Sequence, residues 1–175
     1  MDNPISLSRL RAINSDDMAF LSELYACTRA AEMNLTSWSA DQKKFFLYSQ
    51  FQLQHNYYQQ QFPKAKFKII ELDRLSIGRL YYGWEKNNLR LIDISLLPEY
   101  QGQGTGGQLI RELMDLVVEK KGTFSLHVDI NNPARNWYLK LGFIPSDNSP
   151  SLVNGIYQKL HWSAKFLDAS IVSDN

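Results

Sequence analysis

Several things are scarce in this chain, and each scarcity removes a class of function. There is one cysteine, Cys27, which excludes an intramolecular disulfide framework and any metal site built from several cysteines. The histidines, His55, His127 and His161, are scattered without ligand spacing, so no metal centre is expected. No apolar run is long enough to span a bilayer. The opening MDNPISLSRL has no basic region followed by an apolar stretch, so a signal peptide is not expected. Charge of one sign is not in excess: 19 Lys and Arg stand against 18 Asp and Glu, a formal net charge of +1. The basic residues are spread along the chain, and no stripe marks a nucleic acid or an anionic membrane as a partner. Together these absences make a cytoplasmic protein the expectation.

What is present suits one domain with a real core. The chain has 175 residues, of which 44% are hydrophobic and 21% charged. Ile5 to Ala12 alternates apolar and polar residues, the pattern of an opening strand. Asn14, Ser15 and Asp16 offer caps for a helix whose apolar face is Met18, Phe20, Leu21, Leu24 and Tyr25, ending near Arg29 to Glu32. Asn34 to Ser39 reads as a loop containing Trp38, with Ser39 as the next N-cap. A second helix is expected from Ala40 to about Tyr58, and Pro63 ends that region. Strand-like runs follow at Lys66–Glu71, Ser76–Trp84 and Leu89–Leu97, joined by the short polar links of antiparallel hairpins. A glycine cluster and a helix come next, then a strand at Thr123–Val128 and a short helix at Asn132–Leu141 stopped by Gly142. Phe143–Pro145 and Val153–Leu160 close the series as strands. With no repeat and no linker, the expectation is one α/β domain over residues 5–163 and a fraying tail over 164–175.

The stretch Leu89 to Lys120, LRLIDISLLPEYQGQGTGGQLIRELMDLVVEK, organises the rest. An apolar strand breaks at Pro98, passes through Gly102, Gly104, Gly106 and Gly107, and enters an amphipathic helix with Leu109, Ile110, Leu113, Met114, Leu116 and Val117 on its apolar face. Glycines let backbone approach a ligand closely, and a helix start presents unpaired N–H groups at the positive end of its dipole. That combination suits a phosphate or pyrophosphate. Three readings compete. The glycines can simply make a turn, but the cluster is denser than a turn requires. Gly102, Gly104 and Gly107 satisfy the dinucleotide fingerprint G-x-G-x-x-G, with Asp129 ending the next strand. In that fold, however, the first glycine follows its strand directly, in a unit that normally opens the domain. Here Pro98, Glu99, Tyr100 and Gln101 intervene, and the element lies mid-chain after a meander.

The third reading rests on two motifs. Gln101-x-x-Gly104-x-Gly106, after a strand ending in Leu96, Leu97 and Pro98, resembles the cofactor motif of the GNAT N-acetyltransferase superfamily. Asn131-x-x-Ala134-x-x-x-Tyr138-x-x-x-Gly142-Phe143 is similar to the segment that follows it in that superfamily. Element order matches from about Leu7 to Leu160, and the specific part is Leu89 to Phe143. The resemblance implies a mixed, mainly antiparallel central sheet flanked by helices, with a splayed parallel strand pair forming the cleft for coenzyme A. It implies transfer of an acetyl group from acetyl-CoA to a primary amine, with no covalent enzyme intermediate.

Carried over residue by residue, the resemblance puts the pyrophosphate on the backbone of Gly102, Gln103, Gly104, Thr105, Gly106 and Gly107, with Gln101 where the family has Gln or Arg. Leu96 and Leu97 end the splayed strand. A backbone N–H near Leu97 would polarise the thioester carbonyl. Asn131 and Asn136 would contact the CoA arm, and Lys140 would reach its phosphates. Tyr138 takes the position of the general acid that protonates the leaving thiolate. Without the motif, Tyr138 reads as a helix aromatic packed on the sheet. Some relatives keep a Glu base where this chain has Ile92. The best acid nearby is Asp93, on one strand face with Leu89, Leu91 and Ser95. Asp93 can be a base with a raised pKa, or a structural carboxylate paired with an arginine.

The N-terminal helices and their loop usually shape the acceptor site in this superfamily. Here that region offers Arg29, Glu32 and Trp38. Glu32 and Asp93 suit a small amine, whereas Arg29 suits an acceptor bearing a carboxylate, such as an amino acid or peptide. His127 can serve as a relay or pack on its strand. Many members are dimers, so a homodimer is an expectation with no interface marked. The alternative function is a CoA-binding sensor or assembly module of the same fold with little turnover.

Overall fold

A computed structural model describes residues 5–146 and 157–164. Among these residues the helices are α1 (Met18–Thr28), α2 (Ala30–Asn34), α3 (Ala40–Gln61), α4 (Thr105–Glu119) and α5 (Ala134–Lys140). The strands are β1 (Arg11–Ala12), β2 (Lys66–Leu72), β3 (Leu75–Glu85), β4 (Asn88–Leu96), β5 (Thr123–Asp129), β6 (Ile144–Pro145) and β7 (Tyr157–Trp162). The strands form one sheet in the order β1-β2-β3-β4-β5-β7-β6. β1 with β2, β5 with β7 and β6 with β7 are antiparallel, and β4 with β5 is parallel. This is the mixed, mainly antiparallel sheet with flanking helices that the sequence implies. No helix among the described residues is long and apolar enough to cross a membrane.

The described residues group into two compact units. One comprises the chain up to Tyr81 together with Asp93–Ile110, and the other comprises Tyr82–Ile92 and the chain from Arg111 onward.

In the first unit, α1 and α3 pack on β2 around Leu21, Tyr25, Phe51 and Ile69. Asn14 and Asp17 make a reciprocal capping box that launches a 3-10 turn, Ser15–Asp17, directly into α1. Ser39 and Gln42 make a second box at the start of α3, with Gln42 N–H donating to Ser39 Oγ at 3.3 Å and Ser39 N–H to Gln42 Oε1 at 2.8 Å. The β2–β3 turn carries Asp73 at φ 49 and Arg74 at φ 68, the pair of positive angles that a type I′ hairpin needs. Gly78 permits a tight approach of β3 to β4: a Cβ there would lie 2.4 Å from the Ser95 carbonyl oxygen.

The opening of the chain differs from expectation. Leu7–Arg9 is a 3-10 turn, and only Arg11 and Ala12 pair as a strand, opposite Ile69 and Lys68. The alternation over Ile5–Ala12 therefore reflects a turn with one buried leucine, Leu10, more than a full strand. The first helix, expected to end near Arg29 to Glu32, stops at Thr28, and a separate short helix, α2, covers Ala30–Asn34 up to the start of the expected loop.

In the second unit, β5 buries Phe124, Leu126 and Val128 on one face, with Leu160 and Trp162 of β7 beside them. The last turn of α4 ends on Lys121 at φ 51, with Gly122 N–H reaching the Val117 carbonyl. β4 and β5 pair through Asn88–Thr123, Leu89–Phe124 and Arg90–Ser125 at their starts. The sequence expectation of a strand over Val153–Leu160 is met from Tyr157 onward, and 153–156 lie outside the described residues.

Candidate active site

The glycine turn is built from its strand outward. β4 ends at Leu96, and Leu97 N–H donates to the Ile77 carbonyl at 2.9 Å. Successive residues of a strand direct their N–H and C=O groups to opposite sides. Leu97 thus faces β3, and the Leu96 N–H and carbonyl face away from β3. Gln101 Nε2 donates to that Leu96 carbonyl at 2.8 Å, which ties the exposed turn back to the strand end. Gln103 Nε2 donates to the Glu99 carbonyl at 2.6 Å. Between them the chain makes a 3-10 turn, Pro98–Tyr100, then passes Gly102 at φ 72 and Gly104 at φ 89. Those angles belong to the left-handed region, where a side chain is strained. A Cβ at Gly102 or Gly104 would meet no heavy atom within 4 Å, and one at Gly106 would meet only Ile94 Cδ1 at 3.9 Å. The glycines are there for backbone shape and open approach, not to relieve crowding.

The first intrahelical bond of α4 runs from Gln108 N–H to the Gly104 carbonyl at 2.9 Å. The first-turn N–H groups before it have no acceptor within the helix. Strand end, left-handed glycines and helix start together make a cradle for an anionic group, and the residues present fit a pyrophosphate.

Also in the first unit is a buried polar cluster that the sequence reading only half saw. Arg79 on β3 lies at 2% exposure, in the middle of a strand with Ile77, Leu80 and Tyr81. Its Nη2 donates to Asp93 Oδ2 at 2.8 Å and to Gln54 Oε1 at 2.9 Å, and its Nε donates to Asp93 Oδ1 at 3.2 Å. Ser95 Oγ donates to Asp93 Oδ1 at 2.8 Å, and the Tyr58 hydroxyl donates to Asp93 Oδ2 at 3.4 Å. Asp93 is thus paired with an arginine. Burial opposes the charge on Arg79, but the adjacent Asp93 carboxylate outweighs it and holds the guanidinium above its ordinary value. Arg79 also lies against the Tyr81 ring, 5.2 Å from its centroid. Burial is the main reason the Tyr81 phenol is pushed up to about 12.

Arg79, Gln54 and Tyr58 were missed as site residues. A sequence signal existed: an arginine inside the apolar run SIGRLYYGW needs a counter-charge when that run is buried.

In the second unit, Asp129 Oδ1 accepts from the Asn131 N–H at 2.8 Å, and Asn132 Oδ1 accepts from the Ala134 N–H at 2.9 Å. These side-chain turns start α5. Gly142 at φ 89 closes it, with Phe143 N–H donating to the Tyr138 carbonyl at 3.2 Å. Tyr138 is thereby fixed in the last turn, buried, its ring 5.7 Å from Phe143 and 4.9 Å from Trp137. Asn131, Asn136 and Lys140 are exposed. His127 is pushed down to about 4, by partial burial and then by Arg90 and Lys159. It is neutral at pH 7.

Arg29, Glu32 and Trp38, expected from the sequence on the acceptor side, are on or near α2. Arg29 Nη1 bonds Glu32 Oε1 at 2.8 Å. Their charges offset each other, so each of the two acceptor readings starts from a paired group. Trp38 is 42% exposed and meets Phe46 edge-on at 5.1 Å.

A family model described as the acetyltransferase (GNAT) family matches residues 32–143. The chain belongs to this family. A Bacillus subtilis relative, named for N-acetylating an alanine of ribosomal protein bS18, is 33% identical over 85 residues, covering 47% of this chain and 56% of that protein. The thialysine N-epsilon-acetyltransferase of Sus scrofa is 37% identical over 65 residues, covering 36% of this chain and 38% of that protein. The chain thus spans little more than half of the first and less of the second. The PaiA N-acetyltransferase of Thermoplasma acidophilum, crystallised with coenzyme A, superposes with a TM-score of 0.63 over 89% of this chain and 98% of that one, at 18% identity. At that identity the likeness is one of fold. The GNAT fold accounts for the element order from β2 to β6 and for the position of the glycine turn between β4 and α4.

Proposed function

We propose that this protein is an acetyl-CoA-dependent N-acetyltransferase acting on a primary amine, as a single domain over residues 5–163. The observation that carries the reading is the glycine turn, with its left-handed Gly102 and Gly104 opening into the start of α4 after β4. The named relatives both act, by their names, on primary amines: an α-amino group and an ε-amino group. Acetyl-CoA supplies an acyl group activated as a thioester.

In this reading the backbone of Gly102, Gln103, Gly104, Thr105, Gly106 and Gly107 binds the pyrophosphate, and Gln101 braces the turn. The oxyanion-stabilising donor is assigned to the Leu96 N–H, because the Leu97 N–H already serves Ile77. Leu97 then positions the strand end. Tyr138 donates a proton to the departing thiolate. Asn131, Asn136 and Lys140 are the polar groups offered to the CoA arm. Arg29, Glu32 and Trp38 line the acceptor side. Asp93 receives the proton lost by the amine. The protein acts in the cytoplasm on a small-molecule or peptide amine, as a monomer or homodimer.

Thermal shift with acetyl-CoA, CoA, NAD and ATP tests the cofactor. A ligand at a hundredfold its Kd adds about 2.7 kcal/mol to the folded state. Stabilisation by both CoA species is the expected result; stabilisation by NAD alone would sink the reading. Thiol release with an amine panel then tests turnover. Tyr138→Phe is expected to cut kcat by about 100-fold or more while leaving CoA affinity intact. Unchanged kcat would remove Tyr138 as the acid.

A further inference from the structure

The Arg79 cluster has a buried end and an accessible end. At the buried end are Arg79, at 2% exposure, and Tyr81, fully covered. At the other end are Tyr58 and Asp93, both half-buried. Gln54 and Tyr58 are four residues apart and so share one face of α3. Arg79 comes from β3, and Asp93 and Ser95 come from one face of β4. Three elements therefore converge on one carboxylate.

A carboxylate has about four lone-pair sites. In Asp93, Oδ1 is taken by Arg79 Nε and Ser95 Oγ, and Oδ2 by Arg79 Nη2 and the Tyr58 hydroxyl. Three of these bonds are 3.2 Å or shorter, and the Tyr58 bond is the longest at 3.4 Å. An incoming ammonium thus has no direct seat on Asp93 unless a bond is displaced. The bond most easily reorganised is the one to Tyr58. A phenol that donates to a carboxylate keeps its oxygen lone pairs for a second partner.

We propose that Tyr58 is the group that contacts the acceptor amine and passes its proton to Asp93, with Arg79 as a positioning residue. This rests on the acetyl-transfer reading. In the step, one ammonium N–H bond breaks and its proton goes to the Tyr58 oxygen. In the same step the Tyr58 O–H bond breaks and its proton goes to Asp93 Oδ2. The amine becomes neutral, Tyr58 ends as a phenol, and Asp93 ends as a neutral acid that later yields its proton to water. No free phenolate forms. Catalytic hydrogen bonds in an unliganded site are often long and tighten with substrate, and the 3.4 Å separation is compatible with that.

The charged and titratable groups around the pair are few. β3 brings the Arg79 cation and Tyr81, β4 brings Asp93, and α3 brings His55. Asp17, ahead of α1, reaches Tyr81 through its charge. Burial and the Arg79 charge keep His55 neutral, so it adds no charge near pH 7. Arg79 fixes Asp93 by two bonds and α3 by the third, to Gln54. It keeps the carboxylate aimed at Tyr58 between turnovers.

The test compares Tyr58→Phe, Asp93→Asn and the double variant. Phenylalanine keeps the ring packing against Phe62 and Tyr81 and removes only the hydroxyl. kcat/KM for one amine is measured from pH 6 to 10, with CoA affinity by calorimetry and melting temperature as folding control. Tyr58→Phe is expected to lose about 100-fold in kcat/KM near pH 7. The deficit shrinks as pH approaches about 10, where a free alkylamine is neutral and needs no relay. CoA affinity stays at the wild-type value. Asp93→Asn shows the same loss and the same narrowing, and the double variant is no worse than either single, as for residues that act as a unit. A wild-type pH profile in Tyr58→Phe overturns the proposal. So does a loss in Asp93→Asn alone, since Asp93 would then take the proton directly, and so do losses that multiply. If the unmodified protein binds CoA but releases no thiol with any amine, acetyl transfer itself fails. That result is distinct from normal turnover with an inert Tyr58.

Discussion

Two arginine–carboxylate clusters occupy the same compact unit and make opposite use of the same chemistry. Arg11 bonds Asp17 through both Nη atoms at 2.7 Å and Glu71 through Nε at 2.5 Å. Its side chain is 34% exposed, and two longer bonds, each 3.3 Å, run to the Ser76 hydroxyl and the Ala12 carbonyl. This cluster is a staple joining β1, the start of α1 and β2. Arg79 is nearly inaccessible, and its carboxylate also gathers two hydroxyls, from Ser95 and Tyr58. Solvent reaches the Arg11 guanidinium, although the Asp17 carboxylate it holds is only 7% exposed. Arg79 is closed to solvent, and its loss would leave Asp93 with hydroxyl partners but no counter-charge. An exposed ion pair adjusts stability, whereas a covered one commits the surrounding elements to a single arrangement.

The largest effect should come from breaking the covered pair. Arg79→Met is expected to cost about 3–5 kcal/mol, because the largely covered Asp93 carboxylate loses its counter-charge. Arg11→Met removes a cation that is 34% exposed and leaves the covered Asp17 carboxylate with the Asn14 N–H, and should cost less, about 1–2 kcal/mol. Denaturant unfolding measures both, and equal losses would erase the distinction.

Acid separates the clusters next, by the pH at which each gives way. His55 lies beside Arg79 with its pKa lowered by burial and then by that cation. The folded state therefore resists a proton that the unfolded chain accepts. Stability is whole above the unfolded value of about 6.5 and declines as pH falls from there through the folded pKa. Asp17 is lowered chiefly by its hydrogen bond to Arg11. Its contribution is whole above about 3.9 and is lost only as pH falls through its folded value. Melting curves across pH should show His55→Gln flattening the decline that starts near neutrality. Asp17→Asn should flatten only the decline at strongly acid pH. A decline of the wild type confined below pH 4, unchanged by His55→Gln, would contradict this ordering.

The smallest effect is expected at Tyr81. Its hydroxyl is buried without a well-aligned hydrogen bond among the described residues, and the neighbouring Arg79 only partly offsets the effect of burial on it. Tyr81→Phe should change stability by less than about 1 kcal/mol, toward greater stability, since it removes an unmet desolvation cost. A loss above that would mean the phenol has a partner of consequence in solution.

The glycine turn was legible in the sequence because its signal is local. Gly102, Gly104 and the start of α4 are neighbours in the chain, and a left-handed turn before a helix is written in residue type. The stop at Gly142 was legible for the same reason. Ser39 was readable as a cap because Gln42 follows it at the capping-box spacing. The partners of Arg79 were not legible, because strand register and helix rotation are tertiary choices. Asp93 was visible as an acid in an apolar strand, and both its roles were open until β3 set Arg79 against it. The opening of the chain misled for the converse reason. Alternation over Ile5–Ala12 is compatible with a strand, but only Arg11 and Ala12 find a partner in β2. α2 was missed because a helix of a single turn leaves little periodicity to detect.

Gly78 offers a caution about reading relatives. Its missing Cβ would lie 2.4 Å from the Ser95 carbonyl oxygen and 2.7 Å from Leu96 Cδ2, so even alanine must push the two strands apart. Any relative that keeps this spacing between β3 and β4 must keep glycine here. In a comparison of such sequences, position 78 would stand out as sharply as Gly102 or Gly104. It would do so without binding anything. An unchanging glycine in this fold can mark either a place where a ligand enters or a place where two strands leave no room, and only the surroundings of the absent side chain distinguish them.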